Sequence, residues 1–295
     1  MTETVERMLP LYEAKMIHQF DHRWATYENS TTRELTRSEK SDANQATQPR
    51  YWVDAGEVRD TLDEKWNRPW LFGWRDITRA TDARTAICSP FGPVAAPDGT
   101  LLMLPHDGAE DALILSAILS AFAFDFTVRQ KVGGTHLKFF TMRQLPVISP
   151  EQLSTAPTWT GLRPLHEWIA SRSFELTYTA WDMQSFAEDL GDTGAPFVWD
   201  PERRFLLRAE LDAAFFHLYG VSREDADYIL DTFPIVRRKD EEAHGEYRTK
   251  RVVLEIFDAM QHAADTGTAY DPILTPEPGK GLRHPMRESS DRAEA

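Results

Sequence analysis

Cysteine is almost absent from this chain: Cys88 is the only one in 295 residues. That excludes a disulfide framework and any cysteine-based zinc site, and it fits a reducing cytoplasm. Long apolar runs are missing too. The most apolar window, Ala112 to Phe126, falls short of the roughly 20 residues that a membrane helix needs. It also contains Asp125 and follows directly on Glu110 and Asp111. A buried helix over about 110–128 is therefore expected, and no membrane partner. The N-terminal stretch is charged throughout and has no signal-peptide core. Nor is there a Gly-rich phosphate loop, HExxH, GxSxG, paired CxxC or Asn-Pro-Pro-aromatic sequence. No residue set for a nucleotide, S-adenosylmethionine or catalytic metal is legible, so no catalytic residue and no cofactor are expected in this chain.

What is present suffices for a core. Hydrophobic residues make up 41% of the chain and aromatics 11%, which rules out a wholly disordered polymer. Residues 1–27 read as an ordered lead-in with Leu9, Leu11, Tyr12, Met16, Ile17 and Phe20. Residues 28–50 carry only Leu35, Ala43 and Ala46 as apolar groups, too few to offset ordering entropy, and a mobile linker is expected. From Tyr51 the composition changes, with Trp52, Trp66, Trp70, Phe72 and Trp74 arriving together. Short strands are expected at Thr85–Cys88 and Leu101–Leu104, either side of the breaker-rich PFGPVAAPDG. Helical spacing then returns: Leu207, Leu211, Ala214, Phe215 and Leu218 stop at Gly220, Ser222 caps a second helix, and Val252 to Met260 marks a third. Residues 275–295 are Pro-, Gly- and charge-rich, and a disordered tail is expected. The class is α+β, with short mixed strands around a buried helix over 51–153 and a helical part over 154–265.

Three weak chemical signals resolve toward structural roles. Glu13-Ala14-Lys15 has the E-x-K spacing of one nuclease class, but only Glu3 and Glu6 lie upstream to supply the acidic partner that class needs. His18 and His22 are four apart, without a third ligand. Arg237-Arg238-Lys239 beside Glu241-Glu242 reads as a solvated helix face.

Charge is distributed unevenly. The chain has 33 Lys+Arg against 47 Asp+Glu, a net −14. Yet residues 126–150 hold Arg129, Lys131, Lys138 and Arg143 and no acid, so +4 there against −14 overall leaves −18 on the rest. Gly133 and Gly134 permit close backbone approach, and Thr135 and His136 offer hydrogen-bonding groups at a loop tip. Phosphates call for cations and backbone N–H groups, and base edges for polar side chains on a positioned loop. A second basic cluster, Arg75, Arg79 and Arg84, is offset only by Asp76 and Asp82.

Four blocks in order carry a family resemblance: LPLYEAKMIHQFDHR at 9–23, WRDITRATDARTAI at 74–87, RQKVGGTHLKFFTMRQLPVISPEQL at 129–153 and FHLYGVSREDADYILDTFPIVRRKD at 216–240. Together they resemble the post-catalytic, target-recognition part of type IIG-like adenine-specific DNA methyltransferases of restriction-modification and phage-defence systems, over roughly residues 8–262. More loosely, the Gly-Gly-Thr and Leu-Pro-Val pattern resembles the end of target recognition domains in type I specificity subunits. The resemblance implies a cytoplasmic module that reads double-stranded DNA and presents an adenine to a separate catalytic domain. That partner would hold S-adenosylmethionine and methylate the flipped base at N6. Arg75, Arg79 and Arg84 are then expected at phosphates or the groove, and Arg129, Lys131, Gly133, Gly134, Thr135, His136 and Lys138 in the DNA-facing loop. The catalytic half of such enzymes has no counterpart here. The chain then reads as a separate specificity half, a truncated remnant or a fragment of a longer protein. Two other readings stay open: the methyltransferase itself, active only with a catalytic partner, and an interaction protein unrelated to DNA.

Overall fold

Early in the chain, Tyr12, Met16 and Ile17 pack into a small apolar cluster, and the polar residues after them are ordered by buried charge. The computed structural model describes residues 7–287. β1 (Met8–Pro10) leads into a 3-10 turn that buries Met16. β2 (Ala25–Glu28) and β3 (Thr31–Glu34) form an antiparallel hairpin in which Glu28 faces Thr31. Asn29 and Ser30 close it at positive φ, 47° and 70°, the left-handed geometry that suits a two-residue hairpin turn. α1 (Arg37–Lys40) begins in a capping box between Thr36 and Glu39.

These elements correct the expected mobile linker at 28–50. The guanidinium of Arg23 is fully buried and donates to the carbonyls of Lys40, Asp42, Gln45 and Thr179. Lys40 is itself buried, pairs with Asp21 and lies over the rings of Trp24 and Trp199. Peeling the segment away would strip Arg23 of three of its four carbonyl partners and pull Lys40 from Asp21, and that cost holds the segment down. A count of apolar residues is blind to it.

β4 (Trp52–Asp54) pairs antiparallel with β1, and Asp54 then caps α2 (Ala55–Leu62). β5 (Leu71–Arg75) is the centre of a three-stranded sheet, flanked by β6 (Cys88–Phe91) and β7 (Thr100–Met103). The pairings between these strands are all antiparallel, and one isolated parallel bridge joins Leu11 to Ala95. Gly73 sits where β5 meets β7, and a Cβ there would lie 2.7 Å from the Leu101 carbonyl. The run at Leu101–Leu104 becomes β7, but of the expected strand Thr85–Cys88 only Cys88 is in β6, which continues into the segment expected to break structure, while the Thr85 N–H is held by Asp125.

The expected single helix over 110–128 is two. α3 (Ala109–Ser120) and α4 (Phe122–Lys131) meet at Ala121 with a bend of 67°. At the break the Phe122 N–H donates to the Asp212 carboxylate at 2.8 Å instead of continuing the helical ladder, which accounts for the kink. No single described helix is long and apolar enough to cross a membrane, and most of this bent pair is buried.

α5 (Phe139–Met142) and α6 (Pro150–Leu153) are single turns, the second opened by a capping box between Ser149 and Gln152. α7 (Leu165–Thr177) packs on α3, and α8 (Gln184–Asp189) follows. α9 (Pro201–Leu218), capped by Asp200, is the spine of the helical part. α10 (Arg223–Asp231) starts at the Ser222 cap, and α11 (Pro234–His244) and α12 (Arg248–Thr266) complete it, with α12 lying along α9. The buried Arg172–Glu210 pair, 2.7 Å apart, ties α7 to α9.

One hydrophobic core runs from Trp70, Phe72 and Trp74 through α3 and α4 to Leu207, Phe215 and Val253. No break in it marks the expected boundary near residue 153. Part of the expected tail is also held. Arg283 pairs with Asp192 at 2.7 Å and the Gly279 N–H donates to Glu175 at 2.8 Å. Residues 288–295 lie outside the described chain.

Candidate nucleic-acid interface

The loop after α4 is built onto the end of β5. Trp74 Nε1 donates to the Leu137 carbonyl at 2.7 Å, the Leu137 N–H to the Asp76 carbonyl at 2.8 Å, and the Thr78 N–H to the Thr135 carbonyl at 3.0 Å. Residues 76–78 and 135–137 thus run side by side, with Ile77 bridged to His136. Leu137 is fully buried and anchors the loop, while Lys131, Gly133, Gly134, Thr135 and His136 stay exposed. A Cβ added at Gly133 or Gly134 would meet nothing within 4 Å, so neither glycine is required by packing.

Asp76 organises the tip. Its buried carboxylate receives His136 Nδ1 at 2.9 Å and Lys138 Nζ at 2.8 Å through the same oxygen. Burial pushes this carboxyl up, but the Lys138 ammonium and the His136 ring outweigh it and hold it below the usual range. Lys138 is raised in turn by the hydrogen bond to Asp76. A carboxylate can only accept here, so His136 Nδ1 carries the hydrogen and Nε2 is the ring atom left for another partner. The other Asp76 oxygen is buried without a hydrogen bond.

Three of the arginines expected to meet DNA turn inward instead. Arg75 donates to the Ile17 carbonyl from Nε at 3.0 Å, and burial lowers its pKa to about 10. Arg84 donates from Nε to Asp125 at 2.7 Å and from Nη2 to the Ser120 carbonyl, with its guanidinium over the Phe122 ring. Arg129 donates to the carbonyls of Asp82, Ala83 and Thr232 and lies 3.9 Å over the Phe233 ring. Burial pulls the Arg129 pKa down, only partly opposed by Asp125. Arg84 and Arg129 staple the 79–85 turn to α4 and to Thr232 at the end of α10, whereas Arg75 holds the lead-in through Ile17. A count of basic residues cannot separate such a staple from a phosphate contact.

Arg79, Lys131 and Arg143 are exposed, and none of their side chains has a hydrogen-bond or ion-pair partner among the described residues. No family model, curated protein sequence or solved structure matches the chain.

Three exposed apolar side chains flank the same loop, Val147 is exposed further along the chain, and none was singled out from the sequence. Ile77 is 65% exposed, Phe140 69%, Phe139 44% and Val147 52%. Phe139 packs edge-on against Trp74, leaving Phe140 to project. The pair Phe139-Phe140 carried the signal, because adjacent residues on one helical turn cannot both face the core. The other early candidates prove structural. Glu13 accepts from the Tyr27 hydroxyl and pairs with Lys15 at 3.3 Å. His18 lies tilted against Trp24 with ring centroids 4.3 Å apart, while His22 Nε2 meets Asp182 at 2.8 Å. No group of three or more metal-ligating side chains occurs among the described residues.

Proposed function

We propose that the chain is a sequence-specific recognition module for double-stranded DNA, belonging to an adenine-specific modification or restriction-modification system of the cytoplasm. The observation that carries this reading is the acid-free segment 126–150. Its exposed part is a loop braced by Asp76 and accompanied by the exposed cations Arg79, Lys131 and Arg143, which have no partner among the described residues, and by the projecting Phe140. Such a surface combines what phosphates require with what base edges and base steps require. Gly133, Gly134, Thr135 and the free edge of His136 are the groups offered to the bases, with Lys138 holding the loop from behind. Methyl transfer in this reading belongs to a catalytic partner that holds S-adenosylmethionine, and this chain chooses the site.

Fluorescence anisotropy with labelled duplexes tests the proposal. Affinity should fall steeply as salt rises, because bound cations release counterions from the duplex. A selected sequence should bind more tightly than a scrambled duplex of equal length. Absence of binding at low salt, or affinity indifferent to salt, would refute it. Methyl transfer by the purified chain alone would refute the division of labour between this chain and a partner.

A further inference from the structure

The backbone of His136 is fixed on both sides. The Thr78 N–H donates to the Thr135 carbonyl at 3.0 Å, and the Leu137 N–H to the Asp76 carbonyl at 2.8 Å. Between these bonds His136 lies opposite Ile77 in an antiparallel bridge. The ring is fixed as well. Asp76, buried just past β5, has its own N–H on the Gly99 carbonyl at 3.1 Å. Its carboxylate accepts His136 Nδ1 at 2.9 Å through the oxygen that also holds Lys138 Nζ, and Asp98 acts on Lys138 from the turn before β7. Even so, 51% of the His136 side chain is exposed, and Nε2 has no hydrogen-bond partner among the described residues.

A neutral imidazole has one donor and one acceptor nitrogen. Nδ1 gives its hydrogen to a carboxylate, which can only accept, so Nε2 presents a lone pair to the outside. That sets His136 apart from the exposed cations Arg79, Lys131 and Arg143, which can only donate, and from the Thr135 hydroxyl, which can do either. In the DNA major groove a fixed acceptor tells bases apart. Adenine and cytosine present amino donors, N6 and N4, where guanine and thymine present the oxygens O6 and O4. An acceptor set against a carbonyl leaves two desolvated lone pairs opposed, which costs more than a contact simply not made.

We infer that His136 is a specificity-determining residue whose Nε2 accepts the exocyclic amino group of an adenine or cytosine in the major groove. Guanine or thymine at the same position is rejected. The inference rests on the DNA reading above and names the class of base that the loop selects.

Selection of duplexes from a random pool by the full chain at pH ~8, where imidazole is neutral, supplies the probe. Each A·T pair of the selected duplex is then exchanged for G·C, and each C·G for T·A, one position at a time. At one position the exchange should weaken binding to the native chain by about tenfold or more, and to H136F, whose ring lacks the acceptor, by less than threefold. At pH ~5.5 the ring gains a proton and Nε2 becomes a donor, so the preference at that position alone should shrink or reverse. Should H136F fail to fold, the pH comparison on the native chain decides. Amino-to-carbonyl exchanges that affect the native chain and H136F alike at every position would overturn the inference and leave the DNA reading standing. So would base preferences unmoved by pH at every position. Absence of salt-dependent binding to any duplex would overturn both.

Discussion

Arg84 Nε lies 2.7 Å from Asp125 Oδ2, and the carboxylate that holds it is wholly buried. The same carboxylate accepts the Thr85 N–H at 3.0 Å and has Arg129 Nε 3.6 Å from its other oxygen. Removing it would leave two enclosed guanidinium groups without their counter-charge. Asp125→Ala is therefore expected to lower the unfolding free energy by about 3–5 kcal/mol, the usual cost of breaking a buried pair from one side. Urea unfolding followed by tryptophan fluorescence measures it. A midpoint equal to that of the native chain would show that the staple contributes nothing.

Arg79, Lys131 and Arg143 should behave in the opposite way. Each is exposed and has no partner among the described residues, so single changes to Gln are expected to leave stability within about 0.5 kcal/mol. If each neutralises one phosphate, each change should reduce the slope of log affinity against log salt by about 0.9. The triple variant should add these reductions. Slopes that stay constant while affinity stays constant would remove these side chains from the interface.

The contrast between these two sets of arginines marks how far the sequence could be read. Helical spacing and the Ser222 cap locate α9, α10 and α12 because periodicity and capping are local properties. The α+β class follows from the same evidence. Whether a given arginine faces water is not local. Arg84 and Arg79 stand five residues apart in one basic cluster, and only the distant Asp125 and Ser120 decide that Arg84 turns inward. The bend at Ala121 is non-local in the same sense, since its cause is Asp212, on another helix. Residues 28–50 looked disordered for want of apolar groups, but Arg23 and Lys40 order them through buried polar contacts. Within the interface, the acid-free run could be seen directly, whereas Asp76 as its brace required the fold.

Phe140 projects from the braced loop with 69% of its surface exposed and no aromatic partner among the described residues. Phe140→Ala should therefore change folding stability by less than about 0.5 kcal/mol. On DNA the expectation differs, because an apolar side chain inserted at a base step, or stacked on a splayed base, contributes on the order of 1–3 kcal/mol. Loss of affinity without a change in salt slope would identify a contact of that kind. Unaltered affinity would place Phe140 outside the interface.

Asp212 sets a pH dependence whose sign is unusual for an aspartate. Burial is the main cause that pushes its carboxyl up from 3.8 to about 6, with Arg84 and the Phe122 N–H pulling in the other direction. The folded chain then holds this proton more tightly than the unfolded chain does. Its stabilising contribution is complete below about pH 4, declines as pH rises toward 6, and is lost above that. Asn at this position imitates the protonated acid and keeps an oxygen to accept from Phe122. Asp212→Asn is accordingly expected to be more stable than the native chain by about 2 kcal/mol above pH ~7, with the gap closing toward pH ~4. Urea midpoints of both proteins across that range provide the test. A gap independent of pH would mean that Asp212 does not titrate between the two states. A loss of stability at neutral pH would mean that its negative charge is needed beside Arg84 and Arg208.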